Sequence, residues 1–271
     1  VTALAGIAAI TFDFGNTLLK VDRGTLRAVV DATAREAVGR LGPFRVEAFL
    51  DAWAEERDRQ FSEEVPAFRE VDLGERLVRV LARLRGMAPP PAAVRWDQQA
   101  AATWSTQDEI DWGVAAYSDA FVRLFPPDPA VATTLAALAV SRTLAILSNW
   151  PHAATVDRFV EVAGWGPYLR AVVVSQRVGT IKPHPAIFEA ARAAIGNPDP
   201  GSILHVGDDW AADVVGATAA GWRVAYVEAG DHDSPLPSSS RDASVEPDLE
   251  IASIHELPSL LGAETAGSTP A

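Results

Sequence analysis

Asp13 follows an apolar run, Ile7-Ala-Ala-Ile-Thr-Phe12, and opens the turn Phe14-Gly-Asn-Thr17-Leu, rich in donors and permissive backbone. A carboxylate exposed at a strand end can attack phosphorus and form an aspartyl phosphate, splitting one hydrolysis into two easier displacements. The same residue serves equally well as a strand-end cap. Downstream, Leu147-Ser-Asn149 ends another apolar run with a hydroxyl and an amide suited to phosphoryl oxygens, or to an ordinary turn. Lys182, in Gly179-Thr-Ile-Lys-Pro-His-Pro185, is either a solvated surface charge or a rigidly held cation for a transferred phosphoryl group.

The fourth cluster is His205-Val-Gly-Asp-Asp-Trp-Ala-Ala-Asp213. Acids at a helix start are common for dipole reasons, but three of them within six positions suggest a shared task. Hard carboxylate oxygens suit Mg²⁺, which binds through one or two protein carboxylates together with substrate phosphate.

The elements that must position these residues can be read from periodicity. Continuous apolar runs at 7–12, 143–147, 171–174, 202–206 and 223–227 suit strands covered on both faces. Helical patterns at 130–140, 153–163, 185–194 and 213–220 lie between them, so the sheet is expected to be parallel. In such a sheet, ligands bind at the carboxyl ends of the strands, where all four clusters fall. Residues 22–125 break the alternation. They predict helices near 25–40, 46–63, 72–85, 92–106 and 108–124, an inserted helical domain with Pro89-Pro-Pro91 as a breaker. The α/β core is expected over 1–21 and 126–261, 231–247 as a polar Ser/Pro loop, and 262–271 as a disordered tail.

The net charge of −13 and pI near 4.8 argue against nucleic-acid or membrane partners, which bind through clustered Lys and Arg. The absence of cysteine excludes disulfides and thiolate metal sites and fits a cytoplasmic address. The apolar start to Ile10 lacks a basic leader and reads as a buried strand rather than a signal peptide or span. Oligomerisation stays open. His152 and His184 read as loop histidines, and Trp53, Trp96, Trp104 and Trp112 as core. The Arg-rich helices of the insert read as solvated faces, with a single inward Arg as the alternative that could bind a substrate carboxylate.

Taken in order, the four clusters resemble the haloacid dehalogenase superfamily, whose pattern is nucleophilic Asp, Ser/Thr, Lys and an acidic pair. Lys182-Pro-His-Pro-Ala-Ile-Phe188 is close to the family's Lys-Pro-Asp-Pro-x-Ile-Phe. Gly207-Asp-Asp-x-x-x-Asp213-Val-Val-Gly-Ala217 is close to its Gly-Asp-Ser-x-x-x-Asp-Ile-x-Gly-Ala. The resemblance implies a Rossmann-like α/β core with a small helical cap, and a Mg²⁺-dependent hydrolase of a small phosphorylated metabolite. By the same resemblance, Asp13 is nucleophile and metal ligand, and Gly15 (through its carbonyl) and Asp208 complete the protein's metal ligands. Lys182 is catalytic, Thr17, Ser148 and Asn149 bind phosphate, and Asp209 or Asp213 acts from behind, orienting metal-bound water or Lys182.

One position departs from the pattern. Phosphatases of this family carry a second Asp two residues after the nucleophile as general acid and base, and here that residue is Gly15. General acid–base help is worth roughly 10²–10⁴ in rate, so substrates with good leaving groups are expected. A catalytically weak binding or regulatory protein is the alternative. A 2-haloacid dehalogenase fits less well, because that chemistry needs no cation. A phosphonatase also fits less well, because 22–125 contains no lysine for a Schiff base. A receiver-type phosphoacceptor would place its acids before the phosphorylated Asp, and no Gly-x-Gly-x-x-Gly follows the first strand.

Overall fold

A computed structural model describes residues 4, 6–89, 104–228, 233–243 and 245–262. Six parallel strands form one sheet in the order β3-β2-β1-β4-β5-β6. They are β1 (Ala9–Phe12), β2 (Thr143–Ser148), β3 (Leu169–Val174), β4 (Ile203–Gly207), β5 (Arg223–Val227) and β6 (Leu249–Ile251). β1 lies in the interior of the sheet, which explains its unbroken apolar character: Ile10 stands between Leu144 and Leu204, and Phe12 between Ile146 and Val206. Ile10 and Phe12 join one buried cluster, while Ala9, Ala145, Leu147 and Ile203 join a second on the opposite face.

Between β1 and β2 lie the helices α1 (Arg23–Ala37), α2 (Val46–Glu63), α3 (Leu73–Leu84) and α4 (Gln107–Leu124). Local chemistry fixes the starts of three of them. Asp22 caps α1 by accepting from Thr25 N, Asp72 caps α3 through Glu75 N, and Thr106 and Glu109 form a capping box on α4. The cap at Asp22 moves the first helix two residues ahead of the expected 25. Thr106 is a cap, so 104–106 are not part of a helix, and the rest of the expected helix 92–106, with Trp96, lies outside the described residues. The described part of 22–125 contains no strand.

The remaining helices are α5 (Pro129–Ala139), α6 (Ala153–Val162), α7 (Ser175–Val178), α8 (Pro185–Ala194), α9 (Gly216–Ala219) and α10 (Leu257–Leu260). Before α9 runs a π-type turn, Trp210–Val215, so this helical segment starts three residues earlier than expected, with Asp209 as its cap. β6 was not expected, since three residues after a polar loop are too short to show a pattern. The expected tail lies outside the described residues from 263 onward. Among the described residues, no helix is long and apolar enough to cross a membrane.

One apolar cluster runs from the sheet into the insert without a break, including Phe12, Phe14, Trp150 and Phe159 along with Val29, Phe49, Trp53, Leu77, Tyr117 and Phe121. The arginines of the insert are not all solvated. Arg59 and Arg83 meet the buried Glu56 at 2.8 and 2.6 Å, and the buried Arg79 meets Glu75 at 3.1 Å. These ions sit where α2 packs on α3, so burial by the neighbouring helix overrides the exposed face that sequence alone suggests.

Candidate active site

Asp13 stands directly beyond β1, its N–H donating to Val206 O on β4 (2.8 Å), which holds it at the carboxyl edge of the sheet. Lys182 reaches it from the loop before α8. The residue is 2 % exposed, and its ammonium donates to Asp13 Oδ1 (2.7 Å), Asp213 Oδ1 (2.6 Å) and Leu147 O (3.0 Å), which uses all three of its protons. Burial works against this charge, but Asp13 and Asp213 overcome it and hold the lysine above its usual range.

Asp213 is 1 % exposed and fully engaged. Besides Lys182, it accepts from Asp209 N at Oδ2 (2.9 Å) and from His205 Nε2 at Oδ1 (3.0 Å). An ionised carboxylate only accepts, so Nε2 carries the proton, and Nδ1 meets the Thr11 hydroxyl at 2.8 Å. Burial alone would raise Asp213, but Lys182 and His205 reverse that and hold it well below the usual carboxylate range. Gly207 makes this arrangement possible. A Cβ there would lie 2.2 Å from Asp213 Cγ, so only glycine lets the carboxylate cross beneath the strand end.

Asp208 faces Asp13 from the end of β4. Thr17 Oγ1 donates to its Oδ1 (3.2 Å) and Asn16 Nδ2 to its Oδ2 (3.3 Å). Burial, reinforced by the charges of Asp13 and Asp213, pushes its carboxyl up to about 8. Asp13 is also raised, by burial first, with Lys182 opposing and Asp213 adding. Among the described residues, one oxygen each of Asp13, Asp208 and Asp213 lie within 4.8 Å of one another. Lys182 bonds two of these carboxylates and, among the described residues, leaves Asp208 without a cation, an excess of negative charge that a divalent cation would balance. The Asn16 turn offers a further oxygen. Phe14 O takes the N–H groups of both Leu18 and Leu19, Asn16 N bonds Leu19 O, and among the described residues nothing donates to the Gly15 carbonyl.

Ser148, at the end of β2, is buried, and its hydroxyl has no partner among the described residues. A donor of this kind suits a ligand oxygen. Besides Thr17, whose hydroxyl is bonded to Asp208, two expected site residues are committed to other partners. The Asn149 amide clamps the Lys182 backbone, accepting from Lys182 N (2.7 Å) and donating to Lys182 O (3.0 Å), and so holds the lysine loop in place. The Asp209 carboxylate faces away, accepting from Ala212 N (2.7 Å), Ser239 Oγ (2.9 Å) and Ser239 N (2.8 Å). Its backbone supports Asp213, the N–H donating to Asp213 Oδ2 and the carbonyl accepting from Asp213 N (2.9 Å).

Sequence reasoning missed three contributors. Thr11 and His205 are register partners across β1 and β4, a relation visible only after the strands are paired. The third is the described part of the polar loop, 233–243, which lies across the site. Ser234 Oγ accepts from Asn16 Nδ2 (3.0 Å), and Leu236 packs where a Gly15 side chain would project.

A model of the haloacid dehalogenase-like hydrolase family matches residues 7–221. The chain is 30% identical over 161 residues to a pyrimidine 5'-nucleotidase of Escherichia coli, covering 59% of this chain and 68% of that protein. It is 31% identical over 153 residues to a glyceraldehyde 3-phosphate phosphatase of Methanopyrus kandleri, covering 53% of this chain and 60% of that one. The fold is similar to that of a 2-haloacid dehalogenase from Pseudomonas syringae, with a TM-score of 0.67, 24% identity, and 94% and 98% of the two chains covered. With a matching family model over most of its length, the chain belongs to the haloacid dehalogenase-like hydrolases.

Proposed function

We propose that the protein is a magnesium-dependent phosphatase that works through an aspartyl phosphate on Asp13, on a small phosphorylated metabolite whose leaving group departs readily. The observation that carries this reading is the placement of Lys182 between Asp13 and Asp213, beside a third carboxylate and an unpartnered Ser148 hydroxyl. Asp13, Asp208 and the Gly15 carbonyl form an all-oxygen donor set that fits Mg²⁺, which would supply charge neutralisation at the phosphoryl oxygens.

In this reading the Asp13 carboxylate attacks phosphorus, the bond to the leaving oxygen breaks, and that oxygen departs with the electron pair. Ser148 and Lys182 hold the phosphoryl oxygens, while Asp213 and Asn149 keep Lys182 in place. Water then attacks phosphorus, releasing orthophosphate and restoring Asp13. Gly15 offers no proton to the leaving oxygen, which supports acyl or aryl phosphates over simple alkyl esters. Excess carboxylate at the site speaks against a cation-free dehalogenase.

The test is hydrolysis of acetyl phosphate, p-nitrophenyl phosphate and simple sugar phosphates, with and without Mg²⁺, by the parent chain and Asp13→Asn. Turnover that needs both Mg²⁺ and Asp13 and favours the good leaving groups is expected. Full hydrolytic activity in Asp13→Asn would overturn the reading.

A further inference from the structure

Arg76 lies on α3, three residues after Leu73, whose N–H bonds Pro151 O (2.9 Å) in the loop that leaves β2 beyond Ser148. One helical turn rises about 5.4 Å, so the Arg76 backbone is held close to that loop. Its side chain is 6 % exposed, and a guanidinium this enclosed normally has a carboxylate partner. Among the described residues it has none: Nε donates to Gln60 Oε1 (2.7 Å), and the two terminal nitrogens meet no acceptor. Gln60 is fixed by its own bond to Asp72 O (3.0 Å), and the Trp53 ring lies 5.3 Å from the guanidinium. Burial lowers Arg76 to about 10, which leaves it charged at neutral pH.

Tyr117 faces the same place from α4. It is 5 % exposed, its ring is 5.8 Å from that of Trp53, and it interacts electrostatically with Arg76. Its hydroxyl has no hydrogen-bond partner among the described residues, and burial pushes it up to about 12, so it keeps its proton and can donate. From Tyr117 a row of rings leads back to the chemistry. Phe121 lies 6.4 Å from Tyr117, Trp150 lies 5.4 Å from Phe121 and 5.1 Å from Phe14, and Trp150 packs on Gly15.

We infer that Arg76 and Tyr117 form a second subsite, which binds a carboxylate carried by the leaving group of the substrate; this rests on the phosphatase reading above. A guanidinium whose two terminal nitrogens can donate side by side and a phenolic O–H match the two oxygens of a carboxylate. Arg57 on one side and Glu70 and Asp72 on the other also act on Arg76; the two carboxylates outnumber the one added cation, so a singly charged anion suits the place better than a second phosphate. Gln60 and Trp53 orient the guanidinium and reduce the ordering cost of binding.

The test measures binding of ω-carboxyalkyl phosphonates of increasing length against alkyl phosphonates of the same lengths, by calorimetry with Mg²⁺ on the full chain. At one length the carboxylated ligand is expected to bind at least about tenfold tighter, the strength of a charge-assisted hydrogen bond. Arg76→Met should bring the two series within about twofold, and Tyr117→Phe, which removes one oxygen and leaves the packing, should lose part of the preference. Equal binding of both series by the parent, or a preference that survives Arg76→Met, overturns the subsite. If neither series binds, the phosphoryl site itself is misassigned and both readings fall.

Discussion

Leu236 stands where a side chain on Gly15 would project, since a Cβ at that glycine would lie 2.5 Å from Leu236 Cδ1. Trp150 Cζ3 closes the same space at 3.2 Å. The position where the family resemblance leads one to expect a proton donor is therefore filled by apolar atoms, those of Leu236 coming from a loop more than two hundred residues away.

This pairing predicts how an acid could be restored. Gly15→Asp alone should gain little, because Leu236 blocks the carboxylate. Gly15→Asp combined with Leu236→Ala should raise kcat on sugar phosphates by roughly 10-fold or more over Leu236→Ala alone, a fraction of what general acid help supplies. Steady-state kinetics on sugar phosphates and p-nitrophenyl phosphate decide it, since the gain should be confined to the poorer leaving groups.

Lys182→Met removes the cation that bonds both Asp13 and Asp213. The expected loss in kcat is roughly 10²–10³-fold, as for removal of a preorganised donor to transition-state charge. Melting should show a lower Tm as well, because two buried carboxylates lose their partner. Retained kcat in a folded variant would remove Lys182 from the mechanism.

Gly207→Ala places a methyl group 2.2 Å from Asp213 Cγ. The Asp213 carboxylate must then leave Lys182 or the strand end must shift. Destabilisation of about 1–3 kcal/mol is expected in denaturant titrations, with a fall in activity that the nearby Gly201→Ala, whose Cβ would meet only the Asp199 side chain at 3.3 Å, should not share.

Glu70 joins the insert to the core through Ser175, which donates to its carboxylate. Burial raises the Glu70 carboxyl above the usual range, with Ser175 opposing, Asp72 adding and Arg76 lowering. The folded state then binds the Glu70 proton more tightly than the unfolded chain. Its contribution is therefore fully present below the ordinary glutamate pKa and is lost as pH rises through the folded value. Glu70→Gln should gain Tm relative to the parent as pH rises from about 4 to 7. A difference in Tm that stays constant over that range would count against the assignment.

The sequence by itself determined the parallel α/β core, the helical insert after the first strand, and the order of Asp13, Ser148, Lys182 and the 208–213 acids. Each of these depends on local information: an unbroken apolar run marks an interior strand, a helical apolar period marks a helix, and a carboxylate just past a strand faces the ligand edge of the sheet. Tertiary structure decided how each polar group is used. Asn149 is turned to the Lys182 backbone and Asp209 to Ser239 because those partners lie in distant segments brought alongside by the fold. Likewise Thr11 meets His205 only because β1 pairs with β4, and Arg76 is buried beside Tyr117 only because α2, α3 and α4 pack together. Spacing along the chain shows which residues share a strand end or a helix face, whereas hydrogen-bond partners and burial are set by contacts between segments.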